Sequence, residues 1–151
     1  CADCCGPDRD TRADENTRAH EDARAVTTPT PDDPPVAVSE FVIGCVFYDG
    51  AVPGSESDEY VSIVNAGRGA GSLAGWRLTD IDDGSPTFEF PPMTLEPGET
   101  VRVYTNEIHP EHGALSFGRG SPIWNNSDPD TAALISPNGE VVSSVSYPPG
   151  C

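Results

Sequence analysis

His109-Pro110-Glu111-His112 sets two imidazoles and a carboxylate within four residues, a density that could begin a metal site. Pro110 breaks a helix there, and no third ligand follows at metal-site spacing. An exposed loop carrying His109 and His112 is the plainer expectation. Asp80-Ile81-Asp82-Asp83-Gly84 alternates acids before a glycine, as half of a calcium loop does. It is too short for an EF-hand and lacks the closing glutamate, so a hairpin turn is its ordinary role. Glu56, Asp58 and Glu59 could join Asp80, Asp82 and Asp83 as calcium ligands if the loops share one end of the sandwich. No other cofactor is expected. No Gly-x-Ser-x-Gly elbow occurs, and paired carboxylates in so acidic a chain discriminate nothing. An enzyme is not expected.

The cysteines say more. Five are present, three of them in the first five positions. Cys45 lies inside an apolar strand, where a thiol is usually an inert core residue. A chain opening Cys1-Ala2 resembles a bacterial-type lipoprotein after signal-peptide cleavage, with the lipid on Cys1. That would leave Cys4, Cys5, Cys45 and Cys151, an even set able to form two disulfides. Cys4 and Cys5 are adjacent and would pair elsewhere, within or between chains. An arbitrary fragment start, or a metal-binding cysteine cluster in a reducing compartment, are the alternatives. Together with the acidity and the segment described next, the cysteines point to an oxidising, external location.

The 151 residues carry 25 acids against 8 bases, a net charge of −17, and every base is Arg. Such a charge repels phosphate, which argues against nucleic acid and against a broad basic membrane face. No apolar run reaches the ~18–20 residues needed to span a bilayer. Membrane contact would come only through a lipid anchor.

The elements that must position these groups begin after residue 38. Residues 1–38 have acid–Arg pairs at helical spacing (Asp8/Arg12, Asp14/Arg18) but no apolar face, followed by TTPTPDDPP, a proline-stiffened spacer. They read as a mostly disordered N-terminal tether. Residues 39–151 hold strand-like runs at 41–48, 60–65, 76–81, 87–90, 100–105, 132–135 and 141–147. Turn-forming stretches separate them, Pro97-Gly98 and Asn138-Gly139 being the sharpest. With no strong helical period, the fold class is all-β, a sandwich or barrel.

SEFVIGCVFYDG, DEYVSIVNAG, LAGWRLTD, FEFPPMTLEPGETVRVYT, IWNNSDPDTAAL and NGEVVSSVSY occur in this order. Together they resemble the lamin tail domain over about residues 39–147. TNEIHPEHGALSFGRGSPIWNN is similar to the family's prokaryotic branch. One departure falls after the asparagines. The usual Ser-Gly-Asp-Thr-Ala becomes Ser127-Asp128-Pro129-Asp130-Thr131-Ala132, with one residue inserted and the glycine lost.

The resemblance implies an immunoglobulin-like β-sandwich used for binding and attachment, without catalytic residues. Trp76 would pack between the sheets and Trp124 would be core. Asn125 and Asn126 would hold backbone groups at a corner. The expected function is a surface or secreted binding module of a prokaryote. Its partner would be an envelope or extracellular polymer or protein. Candidate surfaces are the charged edge of the third predicted strand and the loop 105–122, with Ile108, Leu115 and Phe117 exposed for contact or folded back onto the core. Two other functions stay open: self-association into a filament or coat, and recruitment of a separate hydrolase or nuclease.

Overall fold

A computed structural model of the chain describes residues 34–84 and 86–151. The tether with its Cys1, Cys4 and Cys5 therefore lies almost wholly outside the described residues. Ten strands and one short 3-10 turn make up the described part. They are β1 (Phe41–Phe47), β2 (Tyr60–Asn65), β3 (Gly71–Ser72), β4 (Arg77–Asp80), β5 (Thr87–Glu89), β6 (Thr94–Leu95), β7 (Thr100–Tyr104), β8 (Leu115–Ser116), β9 (Asp130–Ile135) and β10 (Val141–Tyr147). The turn, Pro110–His112, precedes β8.

One sheet runs β1-β2-β7-β8, the other β10-β9-β4-β5, and β3 pairs with β6 in a small third sheet. Alternation decides which side chains meet between the large sheets. Ile43, Val46, Val61, Ile63, Val101 and Val103 of the first pack with Leu78, Ala132 and Leu134 of the second. Leu73, Phe90, Leu95 and Trp124 fill the ends of this core. The fold is the expected all-β sandwich of immunoglobulin-like type. No helix among the described residues is long and apolar enough to cross a membrane.

Seven of the ten strands fall on the predicted runs. The two-residue strands β3, β6 and β8 are too short to show any periodicity. At residues 136–140 the hairpin closes through Gly139, whose φ of 87° suits a residue without Cβ, and its N–H donates to Ser136 O. The folded unit reaches back past Ser39: the Val38 carbonyl accepts N–H groups from Arg68 and Gly69.

Cys45 departs from its expectation as an inert core thiol. The register of β1 on β2 shifts between Ile43 and Cys45, a bulge centred on Gly44. Inward positions therefore run Phe41, Ile43, Val46 instead of Phe41, Ile43, Cys45. A Cβ on residue 44 would lie 2.8 Å from Ser62 Oγ, so any larger residue would have to displace that side chain. The extra residue turns Cys45 out of the core, and it bonds Cys151 across a Cα–Cα distance of 5.3 Å. The Cys151 N–H donates to Val46 O at 2.9 Å, so the final residues lie along β1.

Asn65 closes β2 and is wholly buried. Its Oδ1 accepts N–H groups from Glu40 and Gly67, and its Nδ2 donates to the carbonyls of Gly69 and Leu95. One side chain thus satisfies four backbone groups around the turn that feeds β3. The third predicted strand, β4, is not an edge: β9 flanks it on one side and β5 on the other.

Candidate functional site

Glu59, Asp80, Asp130 and Tyr147 stand next to or at strand ends that converge on residues 123–130. Glu59 is fully buried just before β2. Its Oε2 accepts the Thr105 hydroxyl at 2.9 Å and the Ile123 N–H at 3.0 Å. Burial pushes its carboxyl up to about 8, helped by the neighbouring carboxyl of Glu56 and opposed by those two donors. Glu56 in turn accepts Asn126 Nδ2 at 2.9 Å. Asp58 caps its own turn by accepting the N–H groups of Ala51 and Val52. Burial alone would raise the Asp58 carboxyl, but these donors hold it below the usual range.

On the second sheet, Asp80 ends β4 and is fully buried. Its Oδ1 accepts the N–H groups of Asp82 at 2.9 Å and Asp83 at 3.2 Å, which curls the following hairpin over it. Asp130 opens β9 opposite and is also buried. It accepts Thr131 N–H at 2.8 Å through Oδ1 and Asn125 Nδ2 at 3.2 Å through Oδ2. Burial first, and then the facing Asp130, raise Asp80 to about 6. Burial also acts to raise Asp130, yet its contacts with Asp80, Thr131 and Tyr147 outweigh that and keep it ionised below the usual range. The Tyr147 hydroxyl accepts the Asn125 N–H at 3.1 Å and completes the corner.

Beside these carboxyls, residues 106–112 fold down onto the first sheet. Asn106 and Glu107 donate their N–H groups to Ser57 O. The His109 ring stacks on Tyr104 with centroids 4.3 Å apart. The Arg102 guanidinium lies 4.3 Å over the Tyr60 ring.

A family profile described as Lamin Tail Domain matches residues 34–149. The chain belongs to the lamin tail domain family. No curated protein matches it.

Within this lamin tail domain the predicted residues part company. His109 Nε2 lies 2.7 Å from Glu107 and Nδ1 3.0 Å from Glu111, so both ring nitrogens serve carboxylates. His112 Nε2 lies 3.2 Å from Arg102 Nη1, which can only donate, so that lone pair is used as well. Neither imidazole offers a free lone pair to a metal. Of the acids, Asp80, Asp83 and Asp130 form the one close group among the described residues, a carboxylate oxygen of each lying within 4.8 Å of the others. Asp82, Glu56, Asp58 and Glu59 stand outside it.

Trp124 is core, as expected, while Trp76 is half-buried and meets Phe41 edge-on at 5.1 Å. Asn125 and Asn126 do not hold backbone with their side chains: they donate to the carboxylates of Asp130 and Glu56. The backbone ligand of this domain is Asn65, which stood in the sequence as an ordinary strand end. Leu115 is buried in β8, and Phe117, half-buried, packs between Phe88 and Trp124. Ile108 alone of the three stays in solvent, 61% exposed.

Proposed function

We propose that this lamin tail domain is a non-catalytic binding module working outside the reducing interior of a cell. Its partner on this reading is an envelope or extracellular polymer or protein. The observation that carries the reading is the Cys45–Cys151 bond, which needs an oxidising compartment to persist. The net charge of −17 supports a partner that is neither nucleic acid nor an anionic bilayer. The loop end around Ile108 is the contact surface, since it presents an exposed apolar side chain on a loop held to Ser57 by backbone hydrogen bonds.

Native protein, alkylated without reduction and weighed intact, tests the location. Cys45 and Cys151 should escape alkylation, and a lipid on Cys1, expected from the sequence, would appear as added mass. Alkylation of both residues would sink the external setting. Co-sedimentation with insoluble envelope polymer tests the surface. Ile108→Asp should abolish retention while leaving the unfolding midpoint in place, and equal retention of the variant would exclude this loop.

A further inference from the structure

The structure assigns a site for a divalent, oxygen-seeking cation, calcium by preference, to Asp80, Asp83 and Asp130. Asp80 Oδ2 is fully buried and receives no hydrogen bond, although Oδ1 of the same carboxylate receives two. A buried carboxylate oxygen without a donor is costly and calls for an occupant. Asp130, 1% exposed, brings a carboxylate oxygen within 4.8 Å of one of Asp80 and with it a second negative charge. Among the described residues, no Arg or His lies within ion-pair distance of any of the three. Two buried like charges thus face each other with only neutral donors around them, Asn125, the Tyr147 hydroxyl and the local N–H groups.

Asp83 completes the set from the exposed side. Its N–H bond to Asp80 Oδ1 folds the hairpin so that its carboxylate joins the other two, with all three ligand atoms inside 4.8 Å. Ligands on opposite sides of one calcium lie about 4.6–5.2 Å apart, twice the usual calcium–oxygen distance. A single ion therefore reaches all three, and water fills its outward positions through the exposed Asp83 side. The all-oxygen, irregular set suits calcium over zinc, which prefers nitrogen and sulfur, and over magnesium, which demands regular octahedral geometry.

Full-length protein stripped with a chelator and dialysed is the material for the test. Thermal unfolding and titration calorimetry would be run with calcium chloride, with magnesium chloride, and with sodium chloride at matched ionic strength. Calcium well above its Kd should raise the unfolding midpoint by about 5 °C or more, and the two controls by far less. Asp83 is exposed, so Asp83→Asn should keep the metal-free midpoint while weakening calcium binding at least ~10-fold. Asp80→Asn, whose amide can donate to Asp130, should raise the metal-free midpoint and remove the calcium effect. Absence of both heat and midpoint shift in the wild-type chain would overturn the site. So would an equal shift in Asp83→Asn or with sodium chloride, which would mark general screening of an acidic surface. An equal shift with magnesium would remove the calcium preference.

Discussion

Glu59 Oε2 lies 3.0 Å from the backbone nitrogen of Ile123, so an acid that precedes β2 in one sheet anchors the corner leading to β9 in the other. The two residues are 64 positions apart, and the bond is buried. Glu59 is therefore a tie between the sheets, and its protonation state matters to the whole sandwich.

That tie makes stability depend on pH with a definite sign. Burial raises the Glu59 carboxyl from 4.5 to about 8 on folding, so between those values the folded chain holds a proton the unfolded chain has released. Stability from this group is complete below about pH 4.5 and is lost as pH rises through about 8. The unfolding midpoint should fall by roughly 5 °C between pH 6 and pH 9. His109, also raised by its carboxylate neighbours Glu107 and Glu111, acts in the same direction from the surface. Glu59→Gln separates the two, because it imitates the protonated acid and should flatten most of the slope. A variant with the full wild-type slope would remove Glu59 from this role.

Asn65 is the second sensitive point. Asn65→Asp keeps the shape but replaces the Nδ2 donor by an oxygen, leaving the carbonyls of Gly69 and Leu95 unpaired against a buried anion. We expect a loss of ~3 kcal/mol or more by urea denaturation at neutral pH. A loss under ~1 kcal/mol would mean that other donors replace it.

The disulfide closes a loop with a sequence separation of 106. Loops of this size are expected to gain ~2–5 kcal/mol from constraint of the unfolded chain. Reduction, or Cys45→Ala with Cys151→Ala, should lower the denaturation free energy by that amount while leaving the β circular-dichroism signal intact. Equal stability of oxidised and reduced protein would show that the bond adds nothing to the sandwich.

His109 offers a readout free of global unfolding. Its ring is flanked by Glu107 and Glu111, of which Glu107 contributes more, so the imidazole should titrate above the usual 6.5. Proton NMR of the ring should show this. Glu107→Gln should bring the value down further than Glu111→Gln does, and the reverse order would contradict the observed geometry.

How far the sequence disclosed this molecule depends on the range of the interaction. Tyr60–Asn65 and Val141–Tyr147 fall on predicted runs because alternation or a β-rich run is local information. The corner around Trp124 was legible as core, since a tryptophan among turn formers has few other places to go. The pairs that shape the candidate site were not. Asp80 and Asp130 meet only because β4 and β9 are neighbours, and that pairing joins residues 52 to 58 positions apart. The calcium-like run of acids held Asp80, Asp82 and Asp83 but gave no sign of Asp130, which joins Asp80 and Asp83. The outward turn of Cys45 depends on one inserted residue at Gly44, which shifts the alternation of β1 in mid-strand. The apolar loop carrying Leu115 and Phe117 left partner contact and packing onto the core both open, and it is apolar because it supplies part of the core.

The Cys45–Cys151 bond also decides how this domain responds to tension. A pull applied between the residues before β1 and Cys151 passes along residues 34–45 and then through one sulfur–sulfur bond. The strands from β2 to β10 lie in the closed loop behind that bond, outside the covalent path of the load. Stretched from those two points, the domain would extend by little more than the length of its first strand. Under reducing conditions the same force would reach every strand in the sandwich.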